Sequence, residues 1–276
     1  MPEGDTIFRA ARTLNRALAG QTITKFETVF PKLARVEFDE GIRGRTVELV
    51  EAKGKWILMH FSAGRILLTH MLMNESWHIY RPGEKWRLPR SSMRVMIATE
   101  TIVAVAFNIA IAEFHPQDSL RRRSGFASLG PSLLAHGFDV NEGVERLLEH
   151  RDLEVGEALL KQSVVAGIGN VFKSEVCHAC GVYPFRKVAS VTQREATELM
   201  SVAQKFLCAN VNEMSGNQIF TYTGPRRTTS RSNPEQRLWV YKRRGEPCRR
   251  CGTPIESRKQ GLDARTTFWC PQCQRG

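Results

Sequence analysis

The chain has 276 residues, room for two modest domains, and its 42% hydrophobic content is ordinary for a folded protein. Forty Lys and Arg against 28 Asp and Glu leave a formal charge of +12, a balance that points to a polyanionic partner. The opening MPEGDTIF lacks the basic-then-apolar order of a signal peptide, and the longest apolar run, around 102–112, contains Asn108 and is too short to span a bilayer. Both features argue against export or membrane insertion, so a cytoplasmic protein with no membrane partner is expected; the chain is also expected to be a monomer.

In chain order, the first candidate for chemistry is the amino terminus. Met1 before Pro is normally removed, leaving Pro2 with a free secondary amine whose pKa of roughly 8 keeps a useful fraction neutral near pH 7. Such an amine can attack a sugar C1′ and form an iminium, which acidifies the C2′ proton and drives loss of the 3′ phosphate. Glu3, next in sequence, could protonate the sugar ring oxygen. Taken alone, a second-position proline is commonplace.

Residues 5–18 read as a helix with Asp5 or Thr6 as N-cap and Ile7, Ala10, Ala11, Leu14 and Leu18 on one face. From Thr22 to about Phe114 the pattern turns to short apolar or alternating runs: TITKFETVF, ARVEF, TVELVEAKGKWILMHF, RILLTHMLM, SWHIY, SMRVMIAT and IVAVAF. Their close spacing, with Gly, Pro, Asp and Asn between them, predicts an antiparallel sandwich. Residues 121–138, RRRSGFASLGPSLLAHGF, read as a hinge. Helical spacing follows in GVERLLEH, VGEALLKQ, VFKSEVCHAC and TQREATELMSVAQKFLCANV. The expected organisation is a β-rich domain over 1–120, the linker 121–138, a helical domain over 139–220, and a basic loop with a cysteine-rich hairpin over 221–276.

VVAGIGNVFKSE (164–175) reads as a tight turn opening a helix. Gly167 and Gly169 would let backbone approach a phosphate, Asn170 would add a donor, and the helix start would offer free amides. A plain helix–helix turn is the alternative. Cys177-x2-Cys180 has no partner pair and reads as helix-face packing. From Thr221 onward thirteen Lys and Arg face four acids, a net +9, as a phosphate-binding surface needs. Within it, Cys248-x2-Cys251 and Cys270-x2-Cys273, eighteen residues apart, can close a tetrahedral thiolate shell around one structural Zn²⁺. Seven cysteines, an odd number, fit metal binding in a reducing compartment better than a disulfide framework. Buried or oxidised cysteines are the alternative. Gly252 is expected where a knuckle needs an unhindered amide aimed at a thiolate, and SRKQGLDARTTFWC as a hairpin presenting Arg265 with Arg258 or Lys259.

Taken in order, PEGDT, AKGKWILMHF, HMLM, LGPSLL, GIGNVFKSE and GEPCRRCGTPI…RTTFWCPQCQ resemble the formamidopyrimidine-DNA glycosylase/endonuclease VIII family over nearly the whole chain. The resemblance implies an α+β fold. An N-terminal antiparallel β-sandwich with an N-terminal helix would precede a helical domain with a helix–two-turns–helix motif and a zinc-binding β-hairpin. It implies a bifunctional DNA glycosylase/AP lyase of base excision repair, cutting damaged DNA by β,δ-elimination through a Schiff base.

By position, Pro2 resembles the family's nucleophile, Glu3 its catalytic acid, and Lys55 the lysine that contacts phosphate at the lesion. Lys53 lies one strand alternation away from Lys55, on the same face. Asn170 resembles the phosphate-binding asparagine of the two-turn motif, and Arg265 the hairpin arginine beside the scissile phosphate. Leu72, Met73 and Asn74 occupy the place of residues that fill the gap left by a flipped base, with a buried strand end as the alternative.

Departures exist. Asp5 and Thr6 stand where the family has Pro-Glu, and ATETIVAVAFNIA lacks the Arg-x-Phe-type loop of the formamidopyrimidine branch. With Gly4, this points to the endonuclease VIII branch and to oxidised pyrimidines. The alternatives are an 8-oxoguanine/formamidopyrimidine glycosylase and a non-catalytic zinc-ribbon DNA-binding protein. A zinc-ribbon RNA or ribosome-associated protein would leave Pro2, Glu3 and Lys55 unexplained.

Overall fold

A computed structural model describes residues 3–71, 75–122, 126, 128–212, 228–229 and 236–275. The chain divides into two compact units, one over Thr6–Ala127 and one combining Glu3–Asp5, Ser128–Ser215 and Pro225–Gly276. Among the described residues no helix is long and apolar enough to cross a membrane.

In the first unit, α1 (Gly4–Leu18) buries Ile7, Ala11, Leu14 and Leu18 along one stripe. The helix starts at Gly4, so Asp5 and Thr6 are not its caps but buried members of its first turn. A backbone carbonyl takes the place of a capping side chain, since Gly4 N donates to Gly167 O at 2.9 Å.

The strands β1 (Lys25–Thr28), β2 (Val47–Lys53), β3 (Trp56–Phe61), β4 (Arg65–His70), β5 (Ser76–Tyr80), β6 (Met93–Ala98), β7 (Val103–Phe107) and β8 (Ala112–Pro116) form two antiparallel four-stranded sheets. Their orders are β1-β6-β7-β5 and β2-β3-β4-β8. One apolar cluster takes Phe26, Val95, Ile97, Ala104 and Ala106 from the first sheet, Val50, Ile57, Met59 and Phe61 from the second, and the α1 stripe. This is the expected sandwich.

Two elements differ from the sequence reading. ARVEF is not a strand but the middle of α2 (Pro31–Glu40). Pro31 sits where its fixed φ starts a helix, Leu33 is buried, and Glu37 Oε2 accepts from the Ile42 amide at 2.6 Å just past the helix end. β8 was not anticipated. It is an edge strand ending in Pro116, and Glu113, Phe114 and His115 are all half-buried, so it shows no alternation to read. Asn108, at φ 57°, sits between β7 and β8.

The second unit contains α3 (Val140–Leu148), α4 (Val155–Leu160), α5 (Asn170–Ala179), α6 (Gln193–Asn212) and a hairpin of β9 (Glu256–Gln260) and β10 (Arg265–Trp269). Asp139 caps α3 by accepting from the Asn141 amide at 2.8 Å, and Glu154 and Glu157 form a capping box on α4. Leu147, Leu159, Phe172, Val176, Leu199 and Leu207 belong to one core. α4, the turns after it and α5 make the helix–two-turns–helix. Cys177 is buried in that core and Cys180 packs against it.

Candidate active site

The two ends of the GIGN turn are shaped around the start of the chain. Glu3 is 1% exposed, and its carboxylate accepts from the amides of Val171 at 2.8 Å and Phe172 at 3.2 Å, the first turn of α5. A carboxylate at a helix N-terminus satisfies otherwise orphaned donors and complements the helix dipole. Gly169 makes the space: a Cβ there would stand 2.2 Å from Glu3 Cγ. A Cβ on Gly4 would stand 2.5 Å from Gly167 Cα, and Gly167, at φ 122°, holds a conformation that favours glycine. Glu3 therefore takes two of the helix-start amides that the sequence left open to a phosphate. The close backbone approach that the glycines were expected to permit is to Glu3 and Gly4.

Asn170 opens α5 and is 7% exposed. Its Nδ2 donates to the carbonyl of Thr266 at 2.9 Å, while its buried Oδ1 has no partner among the described residues. Thr266 follows Arg265 on β10, so the two-turn motif and the hairpin arginine are joined by one hydrogen bond. Arg265 is partly exposed, with Asp263 Oδ2 at 3.8 Å from its Nε. Arg258 lies over the ring of Phe185 at 3.8 Å, whereas Lys259 is exposed.

The four cysteines of the two pairs converge, with all sulfurs within 4.8 Å of one another. Cys248 and Cys273 are 3.9 Å apart, Cys251 and Cys270 3.4 Å. Zn–S bonds of about 2.3 Å in a tetrahedron separate sulfurs by about 3.8 Å, so the donor set fits Zn²⁺. The amide aimed at the Cys248 sulfur is that of Arg250, at 3.4 Å, not that of Gly252. Gly252, at φ 80°, closes the knuckle by donating to the Cys248 carbonyl. His178 Nε2 lies 3.5 Å from the Cys248 sulfur, its ring stacked on Trp239.

In the first unit, Lys55 occupies the two-residue turn Gly54-Lys55 between the paired residues Lys53 and Trp56. Gly54 at φ 59° gives this hairpin its tight turn. The turn removes Lys55 from strand alternation, so the same-face relation to Lys53 does not hold. Lys53 instead lies over the Phe126 ring at 5.6 Å. Pro2, Leu72, Met73 and Asn74 lie outside the described residues.

Sequence reasoning missed the polar interior of α5. Glu175, fully buried, accepts from the amides of Trp239, Val240 and Tyr241 at 2.8–2.9 Å and from the Thr228 hydroxyl. Lys173 and His178 are also fully buried. Polar residues in a helix read as its wet face, and only the segments packed against α5 reverse that reading.

Comparison with known proteins agrees with this arrangement. The formamidopyrimidine-DNA glycosylase N-terminal domain matches residues 1–109, the formamidopyrimidine-DNA glycosylase H2TH domain 129–221, and the zinc finger found in FPG and IleRS 245–276. The probable endonuclease 8 2 of Streptomyces coelicolor is 36% identical, over 100% of this chain and 95% of the relative. The DNA-(apurinic or apyrimidinic site) lyase Nei2 of Mycolicibacterium smegmatis is 32% identical over 99% of both. Among solved structures, Lactococcus lactis Fpg in complex with abasic-site DNA superposes with a TM-score of 0.82 at 19% identity over 100% of both chains, a likeness of fold. With full-length relatives above 30% identity and three domain matches in order, this chain belongs to the formamidopyrimidine-DNA glycosylase/endonuclease VIII family.

Proposed function

We propose that this chain is a bifunctional DNA glycosylase/AP lyase of base excision repair, with Pro2 as nucleophile and Glu3 as proton carrier. Relatives along the whole chain carry the names endonuclease 8 and DNA-(apurinic or apyrimidinic site) lyase. The observation that carries the reading is the anchoring of Glu3, the residue after Pro2, onto the first amides of α5, beside Asn170 and the hairpin that bears Arg265. Two amide donors hold the Glu3 carboxylate in place at the start of α5. It is thus prepared to take a proton from the Pro2 amine as that nitrogen bonds to C1′.

The base leaves with its bonding pair and is protonated. Glu3 passes its proton to the ring oxygen, the C1′–O4′ bond breaks, and an iminium on Pro2 remains. Loss of the C2′ proton then expels the 3′ phosphate, and a second elimination releases the 5′ phosphate. Lys55, Asn170 and Arg265 are assigned to the phosphates around the lesion, Gly167 and Gly169 to the turn that carries Asn170, and Leu72, Met73 and Asn74 to the gap left by the flipped base.

The domain roles follow the expected boundaries: 1–120 for the sandwich, 121–138 for the linker, 139–220 for the helical part and 221–276 for the basic hairpin segment. Cys248, Cys251, Cys270 and Cys273 would hold one Zn²⁺ with no open position, so the metal supplies folding of the hairpin and no reaction step. Gly4 and the endonuclease 8 names of the relatives support oxidised pyrimidines as substrates, and a monomer acting on damaged DNA remains the assembly we assign.

Borohydride reduction in the presence of an abasic oligonucleotide tests the nucleophile. The adduct should map to Pro2, and a tag that leaves the amine in an amide bond should abolish base release and strand cleavage while DNA binding persists. Full-rate cutting by the tagged protein would overturn the assignment.

A further inference from the structure

The chemistry just described leaves Lys173 unused. Its side chain is fully buried, and among the described residues its ammonium has one hydrogen-bond partner, Thr267 Oγ1 at 2.5 Å. Burying an ammonium without a bonded acid is costly, so such a group calls for a reason. Thr267 donates in turn to Gln260 Oε1 at 2.7 Å, and Gln260 Nε2 donates to Glu154 Oε2 at 2.9 Å and to the Pro184 carbonyl at 2.8 Å. Lys173 thus heads a buried polar chain fastening α5 to both strands of the hairpin. The attachment point is one residue beyond Thr266, which accepts from Asn170, and two beyond Arg265, whose side chain shares the strand face of Thr267.

The charged and titratable groups facing Lys173 are Glu3 from the segment before α1, Glu157 from α4, Cys177 on its own helix, and Arg265 from β10. Burial lowers its pKa to about 8; Cys177, Glu3 and Glu157 oppose that shift and Arg265 adds to it.

We propose that Lys173 is a positioning residue of the phosphate grip: a buried cation that holds β10 against α5 and adds its charge to the anion-binding surface of Asn170 and Arg265, so that DNA affinity depends on its protonation. The proposal rests on the DNA-binding reading above. A phosphate at that surface stabilises the ammonium, so the pKa in the complex lies above that of the free protein. The gain in affinity is therefore complete below the free pKa and is lost as pH rises through the bound one.

The test is binding to a duplex carrying a tetrahydrofuran abasic analogue, which offers the phosphates but no aldehyde for Pro2, from about pH 6.5 to about pH 9.5. A one-unit rise on binding makes wild-type affinity fall about tenfold across the window beyond whatever the variants show. K173M should bind more weakly at the acid end and lose that extra slope. K173R, which cannot deprotonate, should lose the slope by holding the wild-type acid-end affinity up to the alkaline end, where it should bind more tightly than wild type. Zinc content checks that each variant is folded; should K173M fail it, K173R carries the test alone. An undiminished slope in the folded variants would overturn the role of Lys173 while the DNA reading stands. No binding by wild type at any pH would remove that reading and the inference with it.

Discussion

The sandwich and α5 bury different kinds of side chain. In the sandwich, the cluster shared by both sheets is apolar throughout, from Ile57, Met59 and Phe61 on β3 to Val95 and Ile97 on β6. In α5 every residue from Asn170 to His178 is buried, and Asn170, Lys173, Ser174, Glu175 and His178 among them are polar. The sandwich buries some paired polar groups, such as Glu75, which accepts from the Ala110 amide, and Thr69, which accepts from the Trp77 indole. The partners across its central cluster, however, are hydrocarbons that shape and volume alone can fit. α5 is a hub whose polar groups hold several separate segments: its first amides hold Glu3, Asn170 and Lys173 the hairpin, Glu175 residues 239–241, and His178 lies against Cys248. Polar contacts are directional, so this region specifies where functional groups stand, whereas the sandwich specifies that a platform exists.

The largest effect should come from the metal. Cys248→Ser removes one of four thiolates from a site whose binding free energy is on the order of 10 kcal/mol in isolated zinc modules. Metal analysis should give one zinc per wild-type chain and a loss in the variant, with DNA affinity falling as the hairpin bearing Arg265 unfolds. A variant that kept its zinc would show that the four sulfurs are not the ligand set.

Glu175→Ala and Phe61→Ala set the two regions against each other. Each should cost about 3–5 kcal/mol, the first by leaving the amides of Trp239, Val240 and Tyr241 without their acceptor, the second by opening a cavity. The distinction lies in what else is lost. Phe61→Ala, followed by denaturant unfolding, should leave zinc content and the DNA affinity of the folded protein intact, while Glu175→Ala should loosen the hairpin and lower both. Equal losses of zinc in the two variants would erase the contrast drawn between the regions.

Gly169→Ala should have the smallest effect on stability, about 1–3 kcal/mol from overpacking against Glu3. Its effect on turnover should be larger than its effect on folding. Displacing Glu3 should slow base release while an abasic site, which already offers an aldehyde to the amine, is still trapped. Unchanged base release at full zinc occupancy would separate Gly169 from the placement of Glu3.

Part of this was legible before any coordinates. The convergence of Cys248, Cys251, Cys270 and Cys273 followed from spacing alone, because two CxxC pairs leave few ways to satisfy four thiolates. The strands were read from alternation and turn residues, and α1 from its apolar stripe. The failures have physical causes. ARVEF alternates as a strand would, but Pro31 and the burial of Leu33 against the sheets make it a helix. The glycines of GIGN announced a close approach, yet its object was Glu3, hydrogen-bonded to a residue 168 positions away.

Sequence by itself determined most of the elements, the four cysteines whose sulfurs converge and the identity of the chemical groups, since these depend on local spacing and side-chain type. Tertiary structure alone decided that Asn170 and Lys173 reach β10, that Glu175 holds residues 239–241, and that Lys55 stands in a turn rather than on a strand face. The burial that makes a charged residue on α5 consequential comes from segments remote in sequence. Helical periodicity records which face of a helix is apolar, and it carries no trace of a partner that buries the polar face as well.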